Sequence, residues 1–305
     1  MRGSITEQAE HPATATRAFS TRLAGDPADR TRTRGHLVEG TAGAAWPTGF
    51  VHEAVGSGAL GDDVAYGKVA VLRDGPAGPE TASFQLDDSP AHAEIAACSN
   101  ATAAAVAWHA TATGTRAPAL HLSLPGAHDA RIVAEVRPAG TGSSVRQTWH
   151  GVHVELAHDT EVSGRRVAVC TGALNNYLVV RTRAGESTAA FSLDDALMLW
   201  EHFGMDRAPL LSRMTVVDGD RHPEVRCFTC GTRAHPSAAP TGLAVVALVA
   251  NELDWLPRLP ATVRTPGGTV RTPRVQVGRD GLAEVHFPEV LVTIAGPGGP
   301  PTPDP

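Results

Sequence analysis

Short apolar runs, several alternating with polar residues, recur along this chain. They are "KVAVL" (68–72), "ASFQL" (82–86), "ALHLSL" (119–124), "RIVAEV" (131–136), "VHVELA" (152–157), "RVAVC" (166–170), "YLVVRT" (177–182), "EVRCFT" (224–229), "AEVHF" (283–287) and "VLVTI" (290–294). Gly, Pro or Asp separates many of them, and that punctuation with period-two alternation predicts strands. Three stretches follow another pattern. "SNATAAAVAWHATA" (99–112) and "TGLAVVALVANEL" (241–253) are small and apolar nearly all round, with few charges. A helix of that kind is buried rather than laid on a surface. "SLDDALMLWEHF" (192–203) reads as an ordinary amphipathic helix, with Ser192 as N-cap and Asp195 at the capping-box position.

The two buried helices open alike, with "CSNATAAAV" at 98–106 and "PTGLAVVAL" at 240–248, and each follows a β-rich stretch. This predicts an α+β fold of two similar halves, each a β-sheet wrapped around one central buried helix. Residues 1–40 are polar and read as a mobile N-terminal arm. The halves read as 41–160 and 161–295, and "GPGGPPTPDP" at 296–305 as a disordered tail.

Bulk composition narrows the function. At 31.7 kDa the chain is long enough for two domains or one large α+β unit. Net charge is −6 with no basic run, which argues against nucleic acid as a partner. No run of 18 or more apolar residues predicts a membrane-spanning helix, and the first residues lack an apolar signal core. Cys98, Cys170, Cys227 and Cys230 are too few and too irregular for a disulfide framework, so a reducing, cytoplasmic setting is expected.

Candidate chemistry then falls on a few positions. Lys68 is the one lysine among 26 lysine and arginine residues. Arginine is always charged, whereas burial can strip a lysine of its proton, so Lys68 is the candidate base; a lysine left by compositional drift is the plain alternative. Ser99, Asn100, Thr241 and Gly242 stand at the starts of the two buried helices, where unpaired N–H groups and the helix dipole favour an anion. Ser99 and Thr241 also suit ordinary N-caps. Cys98 precedes the first helix, a position that lowers a thiol's pKa; a small buried hydrophobe is the other reading. Cys227 and Cys230 form "CFTC" without a second ligand pair, and no metal site is expected. "GSGALG" (56–61) has the glycine spacing of the dinucleotide fingerprint but is not followed by a predicted helix, so dinucleotide binding is not expected, and there is no P-loop.

Four segments in order resemble the PrpF family of the diaminopimelate-epimerase superfamily. They are "GSGALGDDVAYGKVAVLRDG" with "ASFQLDDSPAHAEIAACSNATAAAVAWHA", then "VAVCTGALNNYLVV" and "RAHPSAAPTGLAVVALVA". The resemblance spans roughly residues 50–295. It implies the diaminopimelate-epimerase-like fold with the active site in the cleft between the halves. It also implies a cofactor-independent 1,3-allylic proton shift in an unsaturated di- or tricarboxylic acid. Lys68 and Cys98 fall on the family's lysine and cysteine and Asn100 on its asparagine, with Ser99, Asn175, His235, Thr241 and Gly242 as further substrate-binding positions. A small carboxylate is the implied partner; a homodimer is compatible with the resemblance and not required by it. Ser99 replaces the family's usual glycine, Asn175–Asn176 stand where Gly-Asn-Pro is expected, and the family's N-terminal Met-Arg-Gly-Gly-Thr-Ser-Lys-like loop has no counterpart.

Two other readings stay open. A two-base racemase or epimerase needs a second thiol at the second helix start, which holds "PTG" (240–242) instead. A non-catalytic carboxylate-binding protein would use Lys68 as an ion-pair partner.

Overall fold

The structure is a computed structural model that describes residues 16–24, 33–39, 68–75, 77–86, 93–95, 97–122, 130–172, 176–205, 212–218, 223–229, 240–265 and 268–296. Each alternating run named above contributes to a strand. The described residues form two sheets and three α-helices.

The first sheet begins with β1 (Thr16–Leu23), β2 (Thr33–Glu39), β3 (Lys68–Gly75), β4 (Gly78–Leu86) and β5 (Ala93–Ile95). It continues with β6 (Ala119–Leu122), β7 (Ala130–Ala139) and β8 (Gly142–Val152). Three later strands rejoin it: β16 (Arg274–Val277), β17 (Ala283–His286) and β18 (Val290–Ile294). Its order is β16-β17-β8-β18-β1-β2-β3-β4-β6-β7, with β5 beside β4. Because β7 also pairs back onto β8, the strands from β8 round to β7 close into a barrel-like ring, and closure removes open edges. Most neighbours are antiparallel; β2–β3 and β4–β6 are parallel.

Helix α1 (Ser99–Thr113) packs against β1, β2, β3, β4, β7, β8 and β18. Its sequence explains why strands from so many directions reach it. Ala101, Ala103, Ala104, Ala105 and Ala107 are all but fully buried, and a methyl side chain keeps the helix thin on every side. Larger side chains fill the remaining space, with Trp149 and Phe287 rings 4.8 Å apart. Gly114 ends the helix in the left-handed region, at φ 70°, where a Cβ would be strained.

The second sheet has the order β15-β14-β13-β12-β11-β10-β9. Its strands are β9 (Val154–Val162), β10 (Arg165–Gly172), β11 (Asn176–Arg181), β12 (Ser212–Asp218), β13 (Glu224–Thr229), β14 (Thr262–Thr265) and β15 (Gly268–Arg271). Its central strands are apolar on both faces because both faces are covered. Ala168, Cys170, Tyr177, Val179, Val217, Val225 and Cys227 pack with helix α3 (Pro240–Val249), in one continuous core that also contains α1. Val167, Val169, Leu178, Val180, Met214, Val216 and Phe228 pack with helix α2 (Leu193–His202).

The capping box of α2 forms as its sequence dictates: Asp195 N donates to Ser192 Oγ at 3.1 Å, and Ser192 N donates to Asp195 Oδ2 at 2.9 Å. Asp195 also accepts from Arg165 Nη1 at 2.9 Å, and Glu186 takes the other face of that guanidinium. Arg165 is only 3% exposed, and these two carboxylates are what make its burial tolerable.

The expected boundaries need correction. Residues 16–23 and 33–39, read as part of a mobile arm, are strands inside the first sheet. "TRAFSTRL" conceals this because Ser20 and Thr21 are buried, so alternation does not mark its face. The chain changes sheet at His153, between β8 and β9, and returns to the first sheet at β16, so the stretch 161–295 is not one sheet. Residues 297–305 of the expected tail lie outside the described residues. Among the described residues, no helix is long and apolar enough to cross a membrane.

Candidate functional site

Of the predicted positions, Cys98, Ser99 and Asn100 stand at the start of α1, and Thr241 and Gly242 at the start of α3. Cys98 is the N-cap of α1, half-buried, with an extended backbone (φ −143°, ψ 104°), and its side chain caps nothing. Thr102 N donates to Cys98 O at 2.9 Å, the first bond of the helix. The preceding amides of Ser99, Asn100 and Ala101 are the helix's first donors, which by geometry have no partner within it. No acidic residue sits in this first turn to neutralise the dipole.

Ser99 and Asn100 are buried, at 2% and 6% exposure. The hydroxyls of Ser99 and Thr102 find no hydrogen-bond partner among the described residues, nor do those of Thr81 and Ser83 on β4, a strand that packs on α1. A buried hydroxyl without a partner costs on the order of 1–3 kcal/mol. Gln147, 1% exposed, fixes the turn from the other side. Its Nε2 donates to Ser99 O at 2.6 Å, and its Oε1 accepts from Trp149 Nε1 at 3.0 Å.

Lys68 is the first residue of β3, opposite Gln85 of β4 and beside Gly35 of β2; its side chain lies outside the described part of the structure. Gln85 in turn faces Glu94 of β5. Strands lie about 4.8 Å apart, so two steps place the backbones of Lys68 and Glu94 about 10 Å apart. Cys98 follows Glu94 by four residues. Helix α1 packs against β3, the strand that Lys68 begins.

At the second start, Pro240 opens α3, where its missing N–H is harmless. The Thr241 hydroxyl lies 2.9 Å from Tyr177 Oη. A Cβ on Gly242 would stand 2.6 Å from Thr215 Oγ1, 3.2 Å from Cys227 Sγ and 3.3 Å from the Tyr177 ring, so only glycine fits. Nothing in the sequence marks Tyr177 and Thr215 as packing on this helix start, and Cys227 stands out only as half of "CFTC". They are alternate members of ordinary strands, and only the register that carries them under α3 sets them apart. The Cys227 thiol lies 3.6 Å from Thr215 Oγ1. Cys230, Asn175 and His235 lie outside the described residues, as does the "GSGALG" turn. Among the described residues no cluster of His, Cys, Asp and Glu could hold a metal ion. Burial pushes the Cys170 thiol up to about 12, with Glu252 adding to the shift, so it does not supply a thiolate near neutral pH.

No protein-family profile and no curated protein sequence matches the chain. Solved structures do. Methylitaconate-delta-isomerase aligns with a TM-score of 0.55 over 92% of this chain and 95% of its own, at 12% identity. The phenazine biosynthesis protein of the PhzF family from Bacillus anthracis aligns with a TM-score of 0.51 over 92% and 99%, at 10% identity. The chain therefore has the diaminopimelate-epimerase-like fold, in the mixed-sheet form these proteins share.

Proposed function

We propose that this protein is a cofactor-independent isomerase that shifts a proton across an allylic system in an unsaturated di- or tricarboxylic acid. The observation that carries this reading is the start of α1. An uncapped thiol, three helix amides and a buried serine hydroxyl with no partner among the described residues stand together there, and this reading sets the chain's one lysine against them. The fold shared with a methylitaconate isomerase supports it. In this reading each half wraps its sheet around one buried helix, and the substrate lies in the cleft between the halves, contacted by Ser99, Asn100, Asn175, His235, Thr241 and Gly242.

The chemistry is coherent. Lys68, neutral, removes a proton from the carbon next to a carboxylate. The amides of Ser99, Asn100 and Ala101 stabilise the enolate-like charge that develops. The proton returns to the far end of the allylic system from Lys68 or from Cys98. A lysine beside carboxylates is normally held charged, so its desolvation must outweigh that pairing.

Unsaturated polycarboxylates screened by NMR in deuterated buffer test this. Deuterium is expected to enter the allylic carbons of at least one of them. Lys68→Arg should keep binding and lose turnover by about 10²–10⁴-fold, the usual contribution of a positioned base. Tight binding without label entry in any compound defeats the isomerase and leaves a carboxylate-binding protein. Exchange at an amino-acid α-carbon, lost in Cys98→Ala and kept in Lys68→Ala, would restore the racemase. The hydrogen bond between Thr241 and Tyr177, where that enzyme needs its second thiol, weighs against it.

A further inference from the structure

At the far end of α3 from Thr241 lies an open cavity of about 1020 Å³. Ala250, on its wall just past the helix end, follows Thr241 by nine positions, roughly 13 Å at 1.5 Å per residue. The cavity sits where the two sheets meet, lined by Arg271 at the end of β15 and Arg274 at the start of β16. Arg146 and Arg258 complete a set of four guanidinium groups, against one carboxylate, Glu289. That carboxylate is already engaged: it accepts from the Ser144 hydroxyl and pairs with Arg146 at 3.2 Å. Arg258, Arg271 and Arg274 are exposed and have no acidic partner among the described residues. The chain as a whole carries a net charge of −6, so this is a local reversal of its field.

We infer that this cavity is a binding site for a small multivalent oxyanion, a polycarboxylate or a phosphate ester. Guanidinium groups from different elements that line one cavity match the planar, paired oxygens of carboxylate and phosphate. The C-terminal end of α3 opposes an anion with roughly half a negative charge, which three unpaired guanidinium groups outweigh. Leu259, Val275 and Phe287 give the cavity an apolar wall, so an anion with a short carbon skeleton fits better than a bare ion. This inference does not depend on the isomerase reading, because none of its residues belongs to the candidate site.

Arginine modification by phenylglyoxal, mapped by mass spectrometry on the intact protein at low salt, tests it. Pyrophosphate or citrate should slow the modification of Arg258, Arg271 and Arg274 at least fivefold. Arg131 and Arg279, exposed and outside the cavity, should react unchanged. Protection by only one of the two compounds supports the site and identifies which oxyanion it takes. By calorimetry, the double variant Arg271→Ala/Arg274→Ala should bind the protecting compound at least tenfold more weakly. Equal protection of all five arginines, or of none, overturns the proposal, as does unchanged affinity in the double variant.

Discussion

Gly242 shows how narrowly one position is constrained. A methyl group there would press on Thr215, Cys227 and Tyr177, two of them in β12 and β13 and all of them buried. Gly242→Ala should therefore destabilise the protein by about 1–3 kcal/mol, the usual cost of overpacking. Urea unfolding measures this as a lower midpoint at unchanged slope. The sequence marks Gly242 as special, but for an anion at a helix start; its close fit to three side chains emerges only from the register of β11, β12 and β13. Cys98, Ser99 and Asn100 were legible because a helix start can be read locally. Gln147 was not, since a buried amide inside "VRQTWHGV" looks like any polar strand residue until Ser99 O and Trp149 Nε1 are placed beside it.

Among the elements, α2 is the one whose sequence alone determines its ends. Ser192→Ala removes the hydroxyl that receives the Asp195 amide. A loss of about 1 kcal/mol is expected, because the Asp195 carboxylate still accepts from Ser192 N. A thermal melt in which Ser192→Ala matches the parent protein would contradict that assignment. The strands divide by how their signal is carried. β3, β7, β10 and β11 announce themselves by alternation or by apolar runs. By contrast β1 buries Ser20 and Thr21 and finds one of its partners, β18, far along the chain, while β14 and β16 have only four residues each. Both buried helices were legible for the opposite reason: an all-alanine or all-aliphatic surface has no solvated face to offer.

For the whole molecule, acid weakens the fold through three carboxyl groups. Hydrogen bonding from the Arg165 guanidinium holds Glu186 below its ordinary 4.5. Asp195 is also held below its ordinary 3.8: burial works against this, and the bonds from Ser192 and Arg165 overcome it. The Ser144 hydroxyl, then Arg146, hold Glu289 below 4.5. Each carboxyl has a lower pKa folded than unfolded, so the unfolded chain takes up protons first as the pH drops. The stability they contribute is complete above about pH 4.5 and is lost as the pH falls through the folded values. Arg165→Met should lower stability at pH 7 and flatten the acid limb of the stability curve; a limb of unchanged steepness would show that Glu186 and Asp195 do not govern it. The two-sheet architecture could be anticipated from repeated helix starts. The crossing of the chain back into the first sheet could not, because no local feature of "RVQV" or "VLVTI" says which sheet will receive it.

That return has a consequence for how the protein is made. β1 lies between β2 and β18, with Phe19 opposite Ile294 and Leu23 opposite Val290. During synthesis one flank of β1 must wait until Val290–Ile294 has left the ribosome before it meets its neighbour. Until then the alanine helix has an incomplete enclosure, and the nascent first half exposes an unzipped seam. Such long-distance closure makes for slow folding and a prolonged risk of mispairing with other chains.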